Sequence, residues 1–295
     1  MRLKDLFFLL FFFGISALGY GQEKLEYNLS KGDVYKVKQI ARQDITQELE
    51  GATHELTNDI RGILEFKVTD KTDETYAIDI VIRDLFMTIT SSLQGVIMDV
   101  NAAEIDTANV QSRIFNSLLN KPVHMVMRKN GDILEVKGGD SLVAGMVKAS
   151  GLKEAFAVNM LTSSLKNEFG TEALSDSYKQ MTFIYPEIKV GIGDTWKNNY
   201  SGKLTAKNSW QLDSMAEGKA NIRGNATVMM KIEEPATTMV LDGTQNTRIT
   251  TDLSTGFILT MKVEGFSEGY STLAQLNGQK IPTTITSLIT YELIQ

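Results

Sequence analysis

Apolar and polar residues alternate along most of this chain, and the alternation predicts strands. Across residues 60–69, Ile60, Leu64, Phe66 and Val68 fall on one face while Arg61, Glu65 and Lys67 fall on the other, the period-two pattern of an antiparallel sheet wetted on one side. Tyr76, Ile78, Ile80 and Ile82 repeat it, after which the apolar set moves to Leu85, Met87 and Ile89. That change of parity across Arg83-Asp84 predicts a bulge or bend, as a curved sheet requires. From residue 34 onward, Tyr35, Val37, Gln39 and Ala41 share a face opposite Lys36 and Lys38, which lie with Val34 and Ile40. Further alternating runs occupy residues 220–231, 238–251, 257–264 and 281–294. In the last, Ile281, Ile285, Ile289, Tyr291 and Leu293 oppose Thr284, Thr286 and Thr290.

The period switches twice. Val110, Ile114, Phe115, Leu118 and Leu119 form a stripe at helical spacing within residues 106–120, with Asp106 or Thr107 placed to cap it and Pro122 to stop it. Residues 138–179 hold no good strand. A helix is predicted over residues 152–169, with Phe156, Met160 and Leu161 inward and Gly170 at its end.

Two local patterns recur. The hairpin of residues 121–138 turns at Asn130-Gly131, and its Gly131-x-Ile133-Leu134-x-Val136-Lys137 returns as Gly256-x-Ile258-Leu259-x-Met261-Lys262. Gly32-Asp33-x-Tyr35-Lys36 returns as Gly193-Asp194-x-Trp196-Lys197. Together they suggest an internal duplication. The expected fold is α+β and predominantly antiparallel β. Two curved, half-barrel-like sheets, residues 22–138 and 181–295, are joined by a helical connector, residues 139–180, packed on a sheet face.

Composition narrows the setting. The 295-residue chain has a net charge of −6 and no cysteine, which excludes disulfides, thiolate metal sites and a lipid anchor on Cys. Residues 1–21 read as a secretory signal: Arg2 and Lys4 precede an unbroken apolar run from Leu6 to Phe13. The expectation is export to the periplasm or beyond, with no stable membrane span after cleavage. Scattered charge with an acidic balance makes nucleic acid an unsuitable partner.

Catalytic signatures fail on inspection. Gly265-Phe266-Ser267-Glu268-Gly269 spells a nucleophile elbow, but strands flank it and no His follows; a β-turn is the expected structure. The S-x-x-K tetrads at Ser150 and Ser163 lack their partner motifs. The two histidines, His54 in an expected loop and His124 on the wetter face of its strand, form no ligand pair. No cofactor is expected. The first functional reading is a non-enzymatic envelope protein holding a lipid or other apolar or extended ligand in a curved sheet. Met125, Met127, Trp196, Trp210, Phe257 and Met261 are the candidate lining. The alternatives are a module that binds an envelope protein and, last, a hydrolase using paired carboxylates.

The segments KGDVYKVK, PVHMVMRKNGDILEVKGG, YPE…GDTW and TGFI resemble a family of secreted proteins of Gram-negative bacteria known only as a domain of unknown function. The resemblance implies an exported, β-rich protein without a cofactor. It carries no site residues.

Overall fold

The computed structural model describes residues 22–49, 51–234 and 237–294; the expected signal segment, residues 1–21, lies outside the described residues. Strands β1 (Val34–Leu49), β2 (Ala52–Lys71), β3 (Thr75–Ser91) and β4 (Gly95–Asn101) come first. Helix α1 (Val110–Asn116) and the hairpin β5 (Pro122–Arg128) and β6 (Ile133–Lys137) follow. Helices α2 (Gly139–Ser150), α3 (Ala155–Phe169) and α4 (Thr171–Thr182) lead to β7 (Thr195–Tyr200) and β8 (Leu204–Ala216). The chain closes with β9 (Lys219–Glu234), β10 (Thr237–Asp252), β11 (Ile258–Leu273) and β12 (Lys280–Ile294).

The architecture is α+β as expected, with one modification. The two curved halves are joined in one twelve-stranded antiparallel sheet, ordered β6-β5-β3-β2-β1-β12-β11-β10-β9-β8-β7, with β4 on β3. The seam is the pairing of β1 with β12, from Lys36↔Ile294 to Gln47↔Thr283. Each half alone would leave a long row of backbone groups unpaired at that edge. Matching parity lets them join, because Val37, Gln39 and Ala41 lie beside Leu293, Tyr291 and Ile289 on the same face. The outer edges, β6 and β7, are both contacted by α4, the last helix of the connector. Lys179 of α4 pairs with Asp132 at 2.8 Å on the β6 side. On the β7 side, the Trp196 indole donates to the Ile184 carbonyl at 2.9 Å.

The bulge expected at Arg83-Asp84 is present. Ile63 pairs with Asp84 and Leu64 with Ile82, so Arg83 is the extra residue. The two Gly-Asp turns have the same wiring. The Asp33 carboxylate accepts from Ser30 N and the Asp194 carboxylate from Gly191 N, both at 2.8 Å. Gly32 N donates to Val68 O and Gly193 N to Leu212 O; both glycines are left-handed, with φ of 97° and 91°. The hairpin turns at Gly131 and Gly256 are drawn to one place. Tyr27 N bonds Lys129 O and Asn28 N bonds Thr255 O, while the Tyr185 hydroxyl donates to Gly256 O at 2.6 Å.

Several local expectations change. Residues 265–269 continue β11 instead of turning; a Cβ on Gly265 or Gly269 would collide with Ser287 or the β10 backbone, so the glycines serve close packing inside a strand. Asn109 caps α1, its carboxamide accepting from Gln111 N and Ser112 N, in place of Asp106 or Thr107. Phe156 and Met160 point outward, 76% and 59% exposed, because α3 buries Leu165 and turns its other side to solvent. Gly170 ends α3 with extended backbone and at once begins α4. His54 lies within β2, half-buried. Strands β4 and β8 are additional to the predicted runs.

Candidate functional site

The side chains that face inward form two large packed clusters and a small third one of Ala206, Ala226 and Val228. One of the large clusters spans both halves of the sheet and includes Tyr27, Phe66, Ile78, Tyr185, Leu212 and Ile249. The other packs α1, α2 and α3 onto β3 and β4 through Leu85, Val100, Ile114, Phe115, Met146 and Leu165. Between them lies a cavity of about 430 Å³, within the roughly 300–1,000 Å³ range of small-molecule sites.

The sheet supplies one wall of this cavity with Ile60, Leu64, Ile82, Met87, Ile89 and Met98, all half-buried. Alternation places each of these on the inner face, and the bulge at Arg83 keeps Leu85, Met87 and Ile89 there beyond the break in parity. Gly62 leaves the wall open between Gln39 and Leu85. Helices α1, α3 and α4 supply Phe115, Leu165, Phe169, Leu174, Tyr178 and Met181. Tyr291 reaches in from β12.

The polar groups of the cavity are few. Asp84 accepts from Leu85 N at 2.9 Å, and Glu168 pairs with Lys203 at 3.0 Å, so both carboxylates have other partners. Burial pushes the Tyr178 phenol well above its usual range. Burial, and then the nearby Tyr200, push the Tyr291 phenol up to about 12. Both are neutral near pH 7, able to donate or accept one hydrogen bond without adding charge.

The structure places the six sequence-derived lining candidates elsewhere. Met125, Met127, Trp196, Trp210, Phe257 and Met261 are all between 1% and 7% exposed and belong to the first cluster. Met125, Met127 and Phe257 surround a gap of only about 10 Å³, room for no more than a water-sized body. Tyr35 stacks on Phe257 with ring centroids 3.9 Å apart, which completes the packing there. Trp196 and Trp210 are cross-strand partners, and Gly224 leaves room for the Trp210 ring. Met261 also borders a groove of about 500 Å³, but charged residues such as Arg248, Lys262 and Glu292 line it. The cavity residues gave a signal in sequence, their inward parity. No sequence signal marked where along the strands the helices stop covering them.

A family model described as a family of unknown function (DUF6263) matches residues 73–258. No curated protein matches the chain. Among solved structures, lipovitellin, in a study titled for its lipid–protein interactions, aligns over 91% of this chain with a TM-score of 0.52 and 10% identity. The chain spans about a quarter of the lipovitellin chain, 26% of its length, and the likeness is one of fold. An outer-membrane channel from Pseudomonas putida F1 aligns over 91% of this chain and 97% of its own, at 8% identity and a TM-score of 0.26. No helix among the described residues is long and apolar enough to cross a membrane.

Proposed function

We propose, for a chain that belongs to the DUF6263 family of unknown function, that it is a non-enzymatic protein of the cell envelope that holds a lipid-like apolar molecule in the cavity between the sheet and helices α3 and α4. One observation carries this reading: the 430 Å³ space has an aliphatic, methionine and aromatic wall, while the candidate core beside it is filled. An apolar wall left half-exposed costs stability unless something covers it. The resemblance in fold to lipovitellin, whose structure was described for its lipid contacts, supports a curved sheet as a suitable container. Export is supported by the charged and apolar leader pattern of residues 1–21.

The test is binding of a neutral, environment-sensitive dye such as N-phenyl-1-naphthylamine, with lipid extracted from the purified protein identified by mass spectrometry. The Met87→Trp and Ile60→Trp variants fill the cavity and should lose dye binding, while Met125→Leu in the packed core should keep it. Retention of full binding by both tryptophan variants would overturn the proposal.

A second reading, an interaction module, has its own observation. Phe156 and Met160 lie outward one turn apart on α3, and the exposed Leu152 precedes the helix. If that stripe docks a protein, the double variant Phe156→Glu/Met160→Glu should lose a partner cross-linked in cells and keep dye binding.

A further inference from the structure

We propose that the ligand is an uncharged amphiphile whose hydrogen-bonding head lies against a row of neutral polar side chains that crosses the inner face of the sheet. This rests on the reading of the cavity as a ligand site and names the class of molecule it takes.

The row follows from strand register. Asn58 pairs with Gln43, Gln43 with Ser287, Ser287 with Gly265, and Gly265 with Gln245. Gln245 pairs with Ala226 and Ala226 with Asn208. Side chains in one register row of an antiparallel sheet share a face, so Asn58, Gln43, Ser287, Gln245 and Asn208 form a polar band across seven strands, with Gly265 and Ala226 as its two non-polar positions. At one end the row meets the cavity, because Ile89, the partner of Asn58 on β3, lines it.

Gly265 keeps the band continuous. A Cβ there would strike the Ser287 hydroxyl and lie 3.4 Å from Gln245 Cγ, so both side chains lean over the glycine. Asn58 Nδ2 donates to Gln43 Oε1 at 3.3 Å, and Asn208 Nδ2 donates to Asn198 Oδ1 at 2.9 Å. Asn58 Oδ1 is buried and has no partner among the described residues; such an acceptor is costly unless a ligand or water supplies a donor.

The neighbouring rows, from Ile60 to Trp210 and from Leu56 to Ala206, hold aliphatic, aromatic, glycine, serine and threonine residues. Among the described residues these three rows contain no Asp, Glu, Lys or Arg from β2 to β8. Strand β1 carries Lys36, Lys38, Arg42 and Asp44 on its other face, so charge is sorted by face there and not missing from the strand. Carboxamides and hydroxyls donate and accept together, which suits hydroxyl, ester or amide groups. A carboxylate or phosphate head on this face would lose water and gain no cation.

The experiment compares a monoacylglycerol with the free fatty acid of the same chain at pH 8, each displacing the neutral dye. The expected result is displacement by both, with the monoacylglycerol at least tenfold tighter. Equal or tighter binding of the fatty acid would overturn the neutral-head inference and leave the cavity reading standing. Failure of both ligands to displace bound dye, or of the dye to bind, would remove the cavity reading and this inference with it. A Gln43→Leu/Gln245→Leu variant with an unchanged far-ultraviolet spectrum should reduce monoacylglycerol affinity several-fold and leave a plain alkane unaffected. Equal loss for the alkane would also overturn the assignment.

Discussion

Around Tyr27, Phe66 and Phe257 the inner face of the sheet is packed to a residual gap of about 10 Å³. Along the same strands, around Ile60 and Met87, it stays open over about 430 Å³. The residue types are alike in both places, so hydrophobicity does not separate them. Covering does. The packed region is sealed by the segment around Tyr27, by the segment around Tyr185 and by α4, all tied to the hairpin turns. The open region is roofed by α1, α3 and the Leu174–Met181 side of α4, which leave a gap over β2.

The strongest perturbation is alkaline pH, which attacks the buried phenols of the inner face. Tyr27, Tyr178 and Tyr185 have phenols raised by burial, so the folded state keeps protons that the unfolded chain releases from about pH 10. Stability is full below that pH and falls as pH rises above it, until the folded-state groups themselves ionise. Tyrosinate absorbance and circular dichroism should change together in one transition above pH 10. Early ionisation of all three without unfolding would contradict their burial.

Phe66→Ala in the packed region should cost about 3–5 kcal/mol. Ile60→Ala in the open region should cost only about 1 kcal/mol, because it enlarges an existing space. Urea melts of the two variants measure the contrast directly, and equal losses would erase it. Gly131→Ala should cost at least ~2 kcal/mol, since φ is +91° and a Cβ would meet the Thr182 carbonyl. Tyr185→Phe removes the hydroxyl that donates to Gly256 O and should cost about 1–2 kcal/mol. Smallest is Lys203→Ala, which releases the exposed pair with Glu168 at the cavity, at under ~1 kcal/mol.

Much of this was legible in the chain. Ile60, Leu64 and Ile82 were placed on the inner face by alternation, and the slip at Arg83-Asp84 announced the bulge that keeps Met87 inward. Gly32-Asp33 and Gly193-Asp194 promised two equal turns, and both have the same hydrogen bonds. The glycines at 265 and 269 misled, because a strand glycine that admits a neighbouring strand looks the same in sequence as a turn glycine. Met125, Met127 and Phe257 were correct as inward residues, but not as the wall of an open space.

What the sequence determined by itself is the face each side chain takes, because a period of two is a local property of extended backbone. The tertiary structure alone decided that β1 and β12 join the halves into one sheet, and which stretch of the inner face is covered. Those depend on contacts between residues far apart in the chain, such as Tyr185 with Gly256 and Gln39 with Tyr291, and no local periodicity encodes them.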